Sequence, residues 1–171
     1  MKTLTRSLLF VTLFALTGAI QAQTIKIGHV DSNEIMNLMP ERTEIENKLR
    51  TFEQQLEDEL RTMMGEYQKK VMDYQDNMAT MSNLIKQSKE KEITDLQNRI
   101  QDFNQNAEAE YGEKRVELLT PLIDKVKKAI EDVGKEKGYA YILDAATGVL
   151  LHIGTGANDL TADVKAKLNI K

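Results

Sequence analysis

The stretch ERTEIENKLRTFEQQLEDELRTMMGEYQKKVMDYQDNMATM, residues 41–81, decides the fold. Its apolar residues recur at steps of three or four, and the residues between them are mostly charged or amide. This narrow stripe is typical of a coiled-coil seam rather than of a globular helix face. The mean spacing is ~3.6 residues per turn, so left- and right-handed supercoiling nearly cancel and we expect a long, rather straight helix. The seam consists of Ile45, Leu49, Phe52, Leu56, Leu60, Met63, Tyr67, Val71, Tyr74, Met78 and Met81.

A second seam follows after a short interruption. The segment NMATMSN, residues 77–83, has weak helix signals, so we place the tip of a helical hairpin at about residues 79–83. The second seam consists of Ile85, Ile93, Leu96, Ile100, Phe103, Ala107, Tyr111, Leu118 and Leu122. Two seams of similar length predict an antiparallel hairpin with arms of about 37 residues, each extending ~55 Å. We therefore expect the helical hairpin, with both of its arms, over residues 45–118 and a body formed by residues 23–44 and 119–171.

Local signals locate the shorter helices of the body. Asp31 has the position of a capping-box residue, so a short helix is predicted to begin near Ser32. Pro121 predicts the first turn of a further helix segment, because proline is tolerated there. Thr161 or Asp159 is predicted to cap a last short helix.

Strand signals occur near both ends of the chain. TIKIGHV, residues 24–30, alternates apolar residues with others, and GYAYILDAATGVLLHIG, residues 138–154, holds two apolar runs around a turn. The second stretch predicts a β-hairpin over residues 139–153, with Gly148 supplying the positive φ of the turn. Because the arms run out and back, the strand at residues 25–30 is expected to join this hairpin in one small sheet.

Both faces of this predicted sheet are largely apolar. A three-stranded sheet is not stable unless its apolar faces are covered. Helices of the same chain can cover one face, and copies of the same chain are the simplest cover for the other. The predicted oligomer interface consists of Ile25, Ile27, Tyr141, Leu143, Val149, Leu151 and Ile153.

The first 22 residues have the pattern of a secretory signal peptide. Lys2 and Arg6 precede an apolar run over residues 7–20, and Ala22 lies at a plausible cleavage site. A retained membrane anchor is the less favoured alternative, because the run falls short of the ~20 residues that a span needs. We therefore expect an exported chain of residues 23–171 without stable membrane insertion.

The composition argues against several other functions. Removing Lys2 and Arg6 takes the formal charge from -4 to -6, and this acidic balance with few aromatic residues argues against nucleic-acid binding. The chain has no cysteine, and His29 and His152 have no further metal ligands near them in sequence. No catalytic triad, phosphate-binding loop or carboxylate pair is credible. We expect no metal, no cofactor and no enzymatic activity.

Two segments carry a resemblance to a known family. KIGHVDSNEIMNLMPE, residues 26–41, and YILDAATGVLLHIGTGANDLTADV, residues 141–164, flank the charged hairpin, and this order resembles the OmpH/Skp family of periplasmic chaperones for outer-membrane proteins. The resemblance covers essentially the whole mature chain. It implies an α+β, mostly α, subunit whose small sheet trimerises into a central β-barrel, from which the helical hairpins surround a cavity. Unfolded outer-membrane β-barrel proteins would be held there without ATP, in the periplasm, before membrane insertion.

The charge of the tip departs from the well-known, strongly basic members of this family. Lys86, Lys89 and Lys91 face Glu90 and Glu92, a net charge of about +1. Electrostatic capture of acidic clients is therefore not predicted, and no lipopolysaccharide-binding residue is assigned.

The expected client-binding residues are methionine-rich, because flexible thioethers suit surfaces that bind many partners. They are Met63, Met64, Tyr67, Met72, Met78, Met81 and Ile85. Packing in the seam is the alternative role of Met63, Met78 and Met81. The favoured function is an ATP-independent holdase, and the alternative is a structural coiled-coil scaffold of the cell envelope.

Overall fold

The computed structural model describes residues 25–170. The predicted signal peptide, residues 1–22, lies outside this range. The helices and strands in chain order are β1 (Ile27–Val30), α1 (Ser32–Asn37), α2 (Pro40–Asn77), α3 (Asn83–Lys137), β2 (Tyr141–Asp144), a 3-10 turn (Ala145–Thr147), β3 (Asn158–Asp159) and α4 (Thr161–Lys167).

Helices α2 and α3 form the long antiparallel hairpin. Helix α2 has 38 residues and α3 has 55. Residues 78–82 join them, and the Ser82 hydroxyl caps α3 by accepting a hydrogen bond from the Ile85 N–H at 3.4 Å. At the opposite end of α3, Gly138 adopts φ 70°, which lets the chain leave the helix toward the sheet.

The predicted helix boundary at Pro121 is wrong. Helix α3 passes through Pro121 without a break and continues to Lys137. Proline removes one backbone donor, and the acceptor that loses its bond is the carbonyl of Glu117. Glu117 and Pro121 are both exposed, so water can satisfy that carbonyl. One helix therefore serves both the arm and the body.

The sheet has three parallel strands in the order β2-β1-β3. Gly28 pairs with Ile142 on one side and with Asn158 on the other. The first strand therefore joins residues 141–144, as predicted from the two ends of the chain.

The predicted β-hairpin over residues 139–153 is wrong for the single chain. Residues 149–153 form no strand within the described part of the chain. The Asp144 carboxylate accepts a hydrogen bond from the Ala146 N–H at 3.0 Å, which turns the backbone out of the sheet at the end of β2. Gly148 does adopt the left-handed conformation, with φ 72°, but residues 149–153 pair with no strand of the described chain.

The core lies where α1, α4 and the C-terminal part of α3 cover one face of the sheet. Val30, Ile35, Met39 and Val164 are its largest fully buried side chains. Burial of each such side chain stabilises the body by about 1.5–3 kcal/mol.

Polar contacts connect the two ends of the chain across this core. The Ser32 hydroxyl donates to Asp144 Oδ2 at 2.6 Å. The Asp31 N–H donates to Thr161 Oγ1 at 3.0 Å, while the Asp31 carboxylate caps α1. The segment before the arm is therefore fixed to the segment after it.

The cap predicted for α4 is wrong in detail. Leu160 occupies the N-cap position and makes no side-chain capping bond. The Asp159 carboxylate instead accepts from the Thr161 N–H at 2.9 Å, and hydrogen bonding by Thr161 lowers the pKa of Asp159. Thr161 is buried, and its hydroxyl accepts a hydrogen bond from the Asp31 N–H.

Candidate functional site

One face of the sheet is covered and the other is open. Gly28 and Ile142 point to the covered face: a Cβ on Gly28 would lie 2.9 Å from Leu160 Cδ1, and Ile142 approaches Gly134 of α3. The residues on either side of them in the strands point the opposite way: Ile27, Tyr141 and Leu143 are exposed, and His29 is half-buried. The single chain therefore presents an apolar sheet face to its surroundings.

All seven residues predicted for an oligomer interface are exposed in the single chain. Their exposed fractions reach 96% for Leu151 and 76% for Val149. A shallow groove of about 270 Å³ lies among them, and Ile27, Leu143 and Ile153 contribute to its lining. Large exposed apolar patches are typical of interaction sites in proteins, so this surface is a candidate for one. The seven residues are Ile25, Ile27, Tyr141, Leu143, Val149, Leu151 and Ile153.

The residues predicted to bind clients divide into exposed and packed groups. Met64, Met72, Met78 and Ile85 are exposed, and Tyr67 and Met81 are half-buried. Met63 is 7% exposed and Leu96, on the other arm, is 3% exposed. In the single chain Met63 therefore packs in the seam, and the exposed residues are the ones available for contact.

Two further apolar side chains on the arms are exposed although sequence reasoning did not select them. Leu84 is 78% exposed and Val116 is 65% exposed. Both fall outside the three-and-four spacing of the second seam. A large apolar residue that lies off the regular seam, on the polar face of a charged helix, is the signal that would have identified them.

Ion pairs connect the two arms near the tip. Lys70 Nζ lies 2.9 Å from Glu92 Oε2, and Lys89 Nζ lies 3.0 Å from Asp73 Oδ2. The Lys70 hydrogen bond lowers the pKa of Glu92, and the same bond raises the pKa of Lys70. Lys89 is thus neutralised by the arm itself, so the tip does not form a strongly positive surface.

A hydrogen bond from a hydroxyl to a carboxylate also connects the two arms near the tip. The Tyr74 hydroxyl donates to the Glu90 carboxylate across the arms, and this hydrogen bond raises the pKa of Tyr74. The contacts near the tip are therefore polar, whereas Met63 and Leu96 make the nearest buried apolar packing.

Residues 25–170 contain no group of three histidine, cysteine or acidic side chains placed to hold a metal ion. His29 and His152 line the same sheet groove without a further ligand of that kind. None of the helices within these residues is both long and apolar enough to cross a membrane.

This architecture matches a known protein family. The family described as outer membrane protein (OmpH-like) matches residues 26–168. The chain belongs to the OmpH-like family. The match includes both arms and the body, so family membership applies to almost all of the described residues.

A solved structure has the same fold as this OmpH-like chain. It is the crystal structure of a protein from Caulobacter crescentus CB15 described as an OmpH-like outer membrane chaperone. The TM-score is 0.72 at 16% identity, and the match covers 89% of this chain and 88% of the other. No curated protein matches the sequence. The similarity confirms the predicted architecture of a long helical hairpin on a small sheet.

Proposed function

We propose that this OmpH-like chain is an ATP-independent holdase chaperone of the periplasm, which binds unfolded outer-membrane β-barrel proteins. The observation that carries the proposal is the exposed apolar surface of the arms. Met64, Met72 and Leu84 lie exposed on helices that are otherwise mostly polar, and Met78 is exposed in the connection between them. Flexible apolar side chains spaced along a polar surface suit weak contacts with many different segments of an unfolded chain.

The proposed active form is a homotrimer in which the open sheet faces of three subunits meet in a central β-barrel. The support is the set of exposed apolar residues on the sheet and on residues 149–153. In an assembly these residues would be covered, and residues 149–153 would gain a strand partner, which they lack within residues 25–170 of one chain. The arms would then extend from one body and enclose a cavity for the client.

The proposed location follows from the export signal and the family. Residues 1–22 would direct the chain across the inner membrane, and the clients would be met between export and insertion. Retention on the membrane is not part of the proposal.

The decisive experiment combines light scattering with size exclusion, with and without a denatured outer-membrane barrel protein. The mature chain should elute as a compact closed oligomer and keep the barrel protein soluble at one oligomer per client. An elongated or filamentous species that leaves the client to aggregate would favour the envelope scaffold instead.

A double substitution tests the role of the exposed methionines. Met64→Gln with Met72→Gln should weaken client holding but leave assembly intact, because both side chains are exposed and lie off the seam. The matched control replaces exposed polar arm residues, Gln75→Ala with Gln101→Ala. The measurement is light scattering by an aggregating client. Equal suppression by both variants would remove the methionines from the proposal.

A further inference from the structure

The seam between the arms opens into a groove halfway along their length. Between residues 50 and 121 the only buried side chains of the arms are Met63 and Leu96. Within the same range, the seam residues from these two toward the body are only half-buried. One groove there has a volume of about 500 Å³, within the range of ligand-binding clefts in proteins.

We name this feature the mid-arm groove and define it by its floor and its rim. The floor consists of Leu56, Leu60, Phe103, Ala107 and Tyr111, and the rim contains Glu53, Glu57 and Glu108. Ala107 occupies a seam position with a small side chain, which leaves space beside Leu56. A neighbouring depression shares Glu57 and Leu60 and continues to the exposed Met64. The apolar surface therefore extends along the arm beyond the groove itself.

The charge around the mid-arm groove is strongly negative. Residues 53–66 hold five carboxylates and one arginine, and residues 99–113 hold four carboxylates and one arginine. The two segments together carry a formal charge of -7, compared with -4 for the whole chain. Arg61 pairs with Asp58 at 3.0 Å, so one of the two cations is already neutralised. The negative charge of the chain is concentrated here.

The carboxylates of the rim form no ion pair with a lysine or arginine of the described residues. No ion pair there involves Glu53, Glu57 or Glu108, whereas the carboxylates of Asp73 and Glu92 near the tip are paired with lysines. The rim is therefore open to cations from another molecule, and such charge complementarity controls which partners bind.

The combination of floor and rim selects one kind of occupant. A second copy of the arm would bring a like charge to the rim, and residues 25–170 place no three ligands for a metal ion. An extended polypeptide with lysine or arginine beside apolar residues satisfies both parts, because its apolar side chains cover the floor and its cations reach the rim. We infer that the mid-arm groove selects such basic-apolar segments of unfolded clients. This inference rests on the proposed holdase function and specifies which client segments bind.

Fluorescent peptides of about twelve residues test the selection. One alternates apolar residues with lysine, a second replaces lysine with glutamate, and a third replaces the apolar residues with serine. At about 50 mM salt the assembled wild-type protein should bind the first at least ~10-fold tighter than either of the others. The preference for lysine over glutamate should shrink at about 500 mM salt, because exposed charges are then screened.

Two variants of equal charge separate the groove from the general field of the arms. The groove variant is Glu53→Gln, Glu57→Gln and Glu108→Gln. The control is Glu59→Gln, Glu110→Gln and Glu113→Gln, which changes carboxylates of the same two segments that do not line the groove. The groove variant should lose most of the preference for lysine, and the control should keep it. Equal loss in both variants, or wild-type binding of the lysine-serine peptide as tight as that of the lysine-apolar peptide, would overturn the inference.

A client assay keeps this result distinct from the test of the holdase proposal. If the wild-type protein suppresses aggregation of a denatured barrel but does not discriminate between the peptides, only the groove inference fails. If it does not suppress aggregation, the holdase proposal fails whatever the peptides show.

Discussion

Leu151→Asp separates the fold of one chain from the proposed assembly. Leu151 is 96% exposed in the single chain, so the substitution should change the stability of that chain by less than about 0.5 kcal/mol. In the proposed trimer the same side chain is buried against another subunit. Burying a leucine contributes about 1.5–3 kcal/mol, so three copies contribute ~4.5–9 kcal/mol, before the cost of burying three carboxylates.

Such a loss is large on the scale of association. Each ~1.4 kcal/mol changes an equilibrium constant tenfold, and the dissociation constant of a trimer scales with the square of concentration. The trimer should therefore dissociate at concentrations ~40-fold to ~1500-fold above those at which the wild-type trimer does. Size exclusion with light scattering over a range of concentrations measures the assembly. Far-ultraviolet circular dichroism measures the helices, which should keep their wild-type content.

Leu84→Asp is the matched control, because Leu84 is 78% exposed but lies on the arm. It makes the same chemical change and should leave the oligomer intact. A fully assembled Leu151→Asp variant would show that residues 149–153 lie outside the interface. Loss of helical signal in that variant would show that Leu151 packs within its own chain.

Two further predictions concern the body and the tip. Gly28→Ala should destabilise the body by about 1–3 kcal/mol, because its Cβ would lie 2.9 Å from Leu160 Cδ1 and 3.0 Å from the Tyr139 ring. Urea unfolding at fixed protein concentration measures the loss of stability. Gly134→Ala is the control, because its Cβ meets only the flexible end of the Ile142 side chain. An equal loss of stability in both variants would refute the packing argument. At the tip, the folded-state pKa of Glu92 lies below its ordinary value of 4.5, so the stabilising pair with Lys70 is present above that pH and is lost as the pH falls through the lowered value. At neutral pH, Glu92→Gln should therefore broaden the distribution of distances between spin labels on cysteines introduced at positions 75 and 87, and acid should do the same in the wild type. The control Glu66→Gln removes only the partner of Lys70 on its own helix, at 4.0 Å, and should not broaden it. A distribution unchanged by Glu92→Gln would refute this account of the tip.

The arms could be predicted from sequence because their structure is set by local periodicity. A seam with steps of three and four specifies which face of each helix meets the other arm, whatever the rest of the chain does. The periodicity does not specify how deeply each seam residue is buried. Met63 and Leu96 are buried while Leu56 and Phe103 are half-buried, although all four occupy equivalent seam positions. The mid-arm groove depends on this difference, which involves side chains from both helices.

The body was less predictable because its sheet is built from distant segments. The alternation in residues 149–153 indicated a strand, but within residues 25–170 that segment pairs with no strand. Strand β3 has only two residues, too few for any alternation to be recognised. Its pairing with β1 is set by the fold of the whole body, where the Leu160 N–H donates to the His29 carbonyl at 2.8 Å.

Pro121 shows how exposure overrides a local rule. Proline is expected to end or begin a helix because it lacks a donor and crowds the preceding turn. In α3 the packing of Leu118 before the proline, and of Leu122 and Val126 after it, against the body holds the helix on both sides of the proline. The lost hydrogen bond lies on the exposed face, where its cost is lowest. The sequence contains both signals but not their relative weight.

The body and the arms differ in how they are held together, and the proposed function uses this difference. In the body, buried side chains from four helices and the sheet meet, and Ser32 and Thr161 bind across the chain ends. Between residues 50 and 121, two buried side chains and exposed ion pairs connect helices that extend for tens of residues. Exposed ion pairs contribute little to stability, so local separation of the arms costs less than opening the body. An assembly built on the body can therefore stay intact while the arms adjust to clients of different size.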